Sequence, residues 1–195
     1  MNRVEIIYLI PYFISLLFSI AILLYARSKR RAHGAIAYSW YMLGESLWIS
    51  GFILEMISPD LAGKIFWDGF QWLASHLFII TLPVFAVQFT DNKLRKPRAL
   101  FLASCLVPTL FTLILATNTY HQWIYNNPIL APGLPFSFLL YDDTPVFIGY
   151  AIYGYAVMFW GLYILLLRII RPHGLYRTQI ILILLGFLIP IIGAL

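Results

Sequence analysis

Charge is scarce in this chain. Only 11% of its 195 residues are Asp, Glu, Lys or Arg, against about 25% in a soluble domain. With 62% hydrophobic residues, too little polar surface remains to cover a water-soluble globule, which excludes that class. Cysteine is almost absent. The single Cys105 cannot build a disulfide framework and offers no cysteine metal cluster. No Walker A or Rossmann glycine pattern occurs, and no Cys/His zinc spacing. The four lysines, Lys29, Lys64, Lys93 and Lys96, lie in loops or at their edges, so none is placed mid-bilayer for a Schiff base. No catalytic constellation is present. No cleavable leader is evident either: the first apolar segment ends in a basic cluster instead of small residues.

The positive charge is unevenly placed. Eleven of the thirteen Lys and Arg fall in three clusters. These are Arg27, Lys29, Arg30, Arg31; then Lys93, Arg95, Lys96, Arg98; then Arg168, Arg171, Arg177. Arg3 and Lys64 stand alone. Basic loops stay in the cytoplasm, so each cluster marks an inner loop and the N-terminus is expected outside. Anionic lipid and topology account for the net charge of +5 without nucleic acid. Six apolar segments can be drawn, at residues 4–26, 35–57, 65–90, 99–116, 145–167 and 178–195. Each is long enough to cross the hydrocarbon as a helix. They are continuously apolar and not alternating, which favours helices over barrel strands. The expectation is therefore an all-α polytopic transmembrane bundle. Pro11, Pro83, Pro108 and Pro190 fall inside segments and are expected to kink them. The chain ends inside the sixth segment, which predicts a longer protein with a seventh span and a cytoplasmic output.

Ionisable residues within spans are costly and mark candidate sites. Glu45 lies near the middle of segment two and Glu55 toward its outer end. Asp68 sits near the outer start of segment three, with His76 two turns deeper. Asp68, Gln71 and Ser75 share a helical face by spacing, with Trp67, Trp72 and Phe78 around them. Such a stripe suits a ligand pocket or a proton-sensitive switch, or else hydrogen bonds that hold helices together. Both readings stand on the sequence alone. The long break at residues 117–144 is rich in Asn, Pro and aromatics. His121 and Trp123 within it suit the roof of an outward pocket, or an interfacial aromatic belt. Adjacent Asp142 and Asp143 are a weak cation signal. His33 and His173 lie in basic loops and are expected to be solvated.

Several local patterns carry a family resemblance by their order. They are Trp40-Tyr41-Met42-Leu43 through Leu54-Glu55 and Ser58-Pro59, then Phe66-Trp67 with Gln71-Trp72-Leu73. Thr117-Asn118 with His121 and Trp123 follows. The last runs from Gly174-Leu175-Tyr176-Arg177-Thr178-Gln179 to Leu188-Ile189-Pro190. Together they resemble the seven-helix N-terminal sensor region of bacterial and archaeal histidine kinases, over roughly residues 10–195. The same module precedes PAS or diguanylate cyclase output domains. The resemblance implies an N-out bundle in the cell membrane, a cytoplasmic output and a homodimer. It implies no agreed ligand and no cofactor.

Residues 1–195 are thus read as one sensory input domain that relays a stimulus, a small ligand or a membrane signal. The sensing candidates are Glu45, Glu55, Asp68, Gln71, His76, His121 and Trp123, with no catalytic or metal-binding residue. The rival reading is a small transporter or channel. That needs a polar path across the bilayer or paired repeats, and segments four and five have almost no internal charge. An enzyme acting on lipid would need clustered His, Asp and Glu, and these are scattered.

Overall fold

A computed structural model describes residues 3–90 and 97–170. The expected sixth span at 178–195, and Lys93, Arg95, Lys96, Arg171, His173, Arg177 and Pro190, lie outside the described residues. So do the side chains of Arg98 and Arg168. The chain is an all-α helical bundle with one small hairpin. Its elements are α1 (Arg3–Ser28), α2 (Ala35–Ile57), α3 (Leu61–Phe89), α4 (Pro97–Ala116), α5 (Asn118–His121), β1 (Asn126–Ala131), β2 (Phe138–Asp142) and α6 (Pro145–Ile170). Among the described residues α1, α3 and α6 are long and apolar enough to cross a membrane. Helix α2 has 23 residues, enough to span about 35 Å, but carries more polar groups. Helices α1, α3 and α4 run unbroken through Pro11, Pro83 and Pro108.

Lipid gives helices no hydrophobic reason to associate, so close packing and internal hydrogen bonds must do it. Helix α2 lies between α1 and α3. Toward α1, Ser19 and Ser46 meet with hydroxyls 2.7 Å apart, and Ser46 also donates to the Met42 carbonyl at 2.7 Å. Toward α3, Gly44 and Gly51 sit seven residues apart on one face. A Cβ on Gly44 would stand 2.8 Å from Leu77 Cβ and 3.0 Å from the Ala74 carbonyl oxygen. One on Gly51 would stand 2.8 Å from Gln71 Cγ. The missing side chains are what let the two helices approach. Helix α3 is the hub of the bundle, packing on α2, α4 and α6 and touching both strands. Leu82, Phe85 and Ala86 meet Leu162 and Leu165 there. The remaining surface of α1 is apolar and exposed, with Ile7, Leu17 and Leu24 each more than 60% accessible. That is the surface expected of a lipid-facing helix.

The turn between α2 and α3 is tighter than the apolar pattern suggests. The third helix starts at Leu61, one turn before residue 65, because Asp60 caps it by accepting from the Gly63 amide at 3.0 Å. The cap satisfies a helix N–H that otherwise has no partner. Lys64, expected at a loop edge, is therefore inside the first turn and fully buried. Its Nζ crosses the turn and donates to the Glu55 carbonyl at 2.8 Å. The cation thus sits on the carbonyl end of α2, where the helix dipole favours it.

The break at residues 117–144 also holds more order than expected. Strands β1 and β2 pair antiparallel, with Ile129 opposite Leu140 and Leu130 opposite Leu139. One face of the hairpin, with Leu139 and Tyr141, packs onto the α3–α4–α6 cluster around Phe111, Ile124 and Tyr125. The tip reaches the other way. Phe136 packs against the α1–α2 cluster of Leu9, Ile49, Ile53 and Met56, with its ring edge-on to Tyr8 at 6.1 Å. The hairpin therefore bridges the two halves of the bundle at one end.

Candidate functional site

The candidate residues gather at the hairpin end of α2 and α3, though not as a single stripe. Asp68 and Gln71 lie on adjacent faces of α3 and turn toward different partners. Gln71 is buried and its Nε2 donates to Glu55 Oε2 on α2 at 2.9 Å. With the Lys64 contact to the Glu55 carbonyl, this locks the α2–α3 corner. Ser75 spends its hydroxyl on the Trp72 carbonyl of its own helix.

Asp68 faces the hairpin. Its Oδ2 accepts from Trp72 Nε1 at 3.0 Å and from the Tyr125 hydroxyl at 2.7 Å. Tyr125 lies 57 residues on and is buried beneath the hairpin. Burial, and then the nearby Asp68 charge, push its phenol well above the ordinary range. Burial pushes the Tyr141 phenol up too, and Asp68 adds to it. Both stay protonated, so Tyr125 is the donor. Such a charge-assisted bond is about twice as strong as a neutral one.

The chain entering the hairpin is clamped from both sides. Asn118 Oδ1 accepts from the Ile124 and Tyr125 amides at 2.8 and 3.2 Å, and its Nδ2 donates to the Tyr125 carbonyl at 3.2 Å. From the residue that precedes α6, the Thr144 hydroxyl donates to the Trp123 carbonyl and accepts from the Phe147 amide at 3.1 Å. Tyr125 is therefore held in place before it meets Asp68.

His76 sits about 12 Å deeper along α3 and joins three helices. Its Nε2 lies 2.9 Å from Thr112 Oγ1 of α4, and its Nδ1 lies 2.5 Å from the Tyr150 hydroxyl of α6. Thr112 gives its own hydrogen to the Pro108 carbonyl. Nε2 must then carry the proton, and Nδ1 accepts from Tyr150. Phe111 stacks on Tyr150 at 3.8 Å beside it. His76 thus joins α3 to α4 and α6.

The other candidates stand apart. Glu45 is ten residues before Glu55 on α2, about 15 Å away, and makes no hydrogen bond among the described residues. His121 and Trp123 are at the rim. His121 Nδ1 accepts from the Trp123 amide at 3.1 Å, Nε2 meets Thr117 Oγ1 at 3.0 Å, and the two rings lie 4.7 Å apart. Neither touches Asp68. Asp142 accepts from Asn127 within the hairpin at 2.9 Å. Among the described residues no three His, Cys, Asp or Glu are placed to hold a metal ion.

Sequence reasoning passed over Lys64, Asn118, Tyr125, Thr112 and Tyr150. Asn118 and Tyr125 flank the aromatic run, but nothing in their spacing reveals that Asn118 clamps the Tyr125 backbone or that Tyr125 reaches Asp68.

The family described as the N-terminal 7TM region of histidine kinase matches residues 11–195. No curated protein and no solved structure matches the chain.

Proposed function

The chain belongs to the family of N-terminal seven-helix regions of histidine kinases, and from that premise we propose that the hairpin end receives its signal. The family makes this a membrane sensory input region with a cytoplasmic kinase output, and not itself the catalytic part. The reading at residue level rests on one observation: a charge-assisted bond from Tyr125, at the entry to the hairpin, to Asp68 joins that segment to α3. A stimulus that lifts or presses the hairpin acts on that bond. Asp68 Oδ1 has no hydrogen-bond partner among the described residues, so the carboxylate keeps an acceptor for an incoming polar group. Helix α3 then carries the change to His76 and so to α4 and α6. Phe136 carries it to α1 and α2. Glu55 and Gln71 hold the fixed corner against which α3 moves. His121 and Trp123 form the rim, and Glu45 lies deeper as a second polar point in the span. The hairpin faces outside and the Arg27–Arg31 loop faces the cytoplasm, as the basic clusters require. The output is taken to be a dimeric histidine kinase; a diguanylate cyclase is the second option.

Impermeant thiol labelling tests the orientation. A cysteine at Asn126 is expected to label in intact cells, and one at Arg30 only after permeabilisation. The reverse pattern would put the hairpin in the cytoplasm and overturn the outward-facing sensor.

A further inference from the structure

At the end opposite the hairpin, where α1 hands over to α2, lies a cleft of about 530 Å³ lined by Arg27, Ser28, Arg30, Ile36, Ser39 and Trp40. Pockets that hold small molecules run from about 300 to 1,000 Å³. The lining is divided by chemistry. Arg27 and Arg30 are exposed cations with no ion-pair partner among the described residues. The Trp40 indole N–H likewise has no acceptor among them. Ser28 and Ser39 give their hydroxyl hydrogens to the Tyr25 and Ile36 carbonyls, so the donors left for an anion are the two guanidinium groups and the Trp40 indole. Among the described residues no carboxylate lines the cleft; the first on α2 is Glu45, about 15 Å along the helix from its start. The other wall is apolar. Ile36 is 55% exposed and Trp40 is 45% exposed, on a bundle whose flanks meet lipid.

We infer that this cleft binds the phosphate of an anionic phospholipid, held between Arg27 and Arg30, with the acyl chain running along Ile36 and Trp40. Guanidinium groups take phosphate through paired N–H donors, which an ammonium cannot match. Trp at headgroup depth supplies both an apolar body and a donor. A soluble phosphate ester offers the same anion without the chain, so the two sources differ in their need for the apolar wall. Lys29 and Arg31 are in the same loop but do not line the cleft. They separate a built site from a diffuse positive surface. The inference is independent of which end receives the signal.

The test uses the purified chain in neutral detergent, with bound molecules counted by native mass spectrometry. The probes are dioctanoyl phosphatidylglycerol, dioctanoyl phosphatidylcholine and glycerol 3-phosphate. Phosphatidylglycerol is expected to bind about tenfold tighter than phosphatidylcholine, and Arg27→Gln or Arg30→Gln to remove about that preference. Lys29→Gln and Arg31→Gln should leave it within about twofold. Ile36→Asp keeps both arginines, sets a carboxylate beside them and should abolish binding, so a folding defect in one Arg variant does not leave the question open. Glycerol 3-phosphate binding as tightly as the lipid, with the same Arg dependence, supports the phosphate site and assigns it a soluble source. Equal binding of the two lipids, or equal losses in all four basic variants, overturns the inference.

Discussion

Tyr125→Phe removes one oxygen from the protein and little else. The ring stays, with its packing against Tyr141 at 5.1 Å and its place in the cluster with Ile124 and Phe111. What is lost is a 2.7 Å bond to Asp68. Hydrogen bonds to charged groups contribute about 1.5–3 kcal/mol. Trp72 Nε1 still donates to the same carboxylate oxygen, which puts the loss at the lower end, about 1.5–2 kcal/mol. Each 1.4 kcal/mol is a factor of ten. The hairpin should therefore open about tenfold to thirtyfold more often. Backbone hydrogen exchange reads this directly on the paired amides around Leu130 and Leu139, with the protein in nanodiscs. The phenol remains protonated at physiological pH because burial and Asp68 raise its pKa. The tie therefore does not loosen from the tyrosine side as pH varies. Asp68→Asn weakens the same bond to its neutral form and should have about half the effect. The double variant should fall short of the sum of the singles, because both remove one interaction. Strict additivity, or an exchange change below about twofold for Tyr125→Phe, would refute the reasoning that this bond holds the hairpin down.

Further outcomes follow from the packing. Gly44→Ala should lower the thermal stability of the purified protein by the equivalent of about 1–3 kcal/mol, because its Cβ meets Leu77 and the α3 backbone. Gly149→Ala, with nothing within 4 Å, should cost nothing in the same thermal scan. Lys64→Met should cost about 1–2 kcal/mol by removing the buried donor to the α2 carbonyl end, while Lys29→Met, in an exposed loop, should leave the melting temperature unchanged.

Much of the helical frame is legible in the sequence, because a bilayer demands long apolar runs and leaves them visible. Segments 4–26, 35–57 and 145–167 correspond closely to α1, α2 and α6. The start of α3 is misread because Leu61 to Lys64 looks like a polar turn. The capping role of Asp60 and the inward turn of Lys64 show only when α2 and α3 are seen side by side. The hairpin is hidden for a different reason. Its strands carry Leu130, Leu139 and Leu140 without polar alternation, so the period-two signal is missing. The candidate site divides in the same way. Asp68, Gln71, Glu55 and His76 stand out as polar groups in apolar runs. Their partners Tyr125, Thr112 and Tyr150 are ordinary loop or helix residues made important by contacts 36 to 74 positions apart.

Autophosphorylation of the histidine kinase that carries this region, reconstituted in nanodiscs, tests the central claim most directly. The account predicts that Tyr125→Phe and Asp68→Asn both shift the phosphorylation level in the same direction, by about threefold or more, with the larger shift in Tyr125→Phe. Tyr120→Ala, at an 89% exposed position beside the hairpin, should leave it at the parent level. Parent-level phosphorylation in both Tyr125→Phe and Asp68→Asn would contradict the claim that the hairpin passes its signal through Asp68.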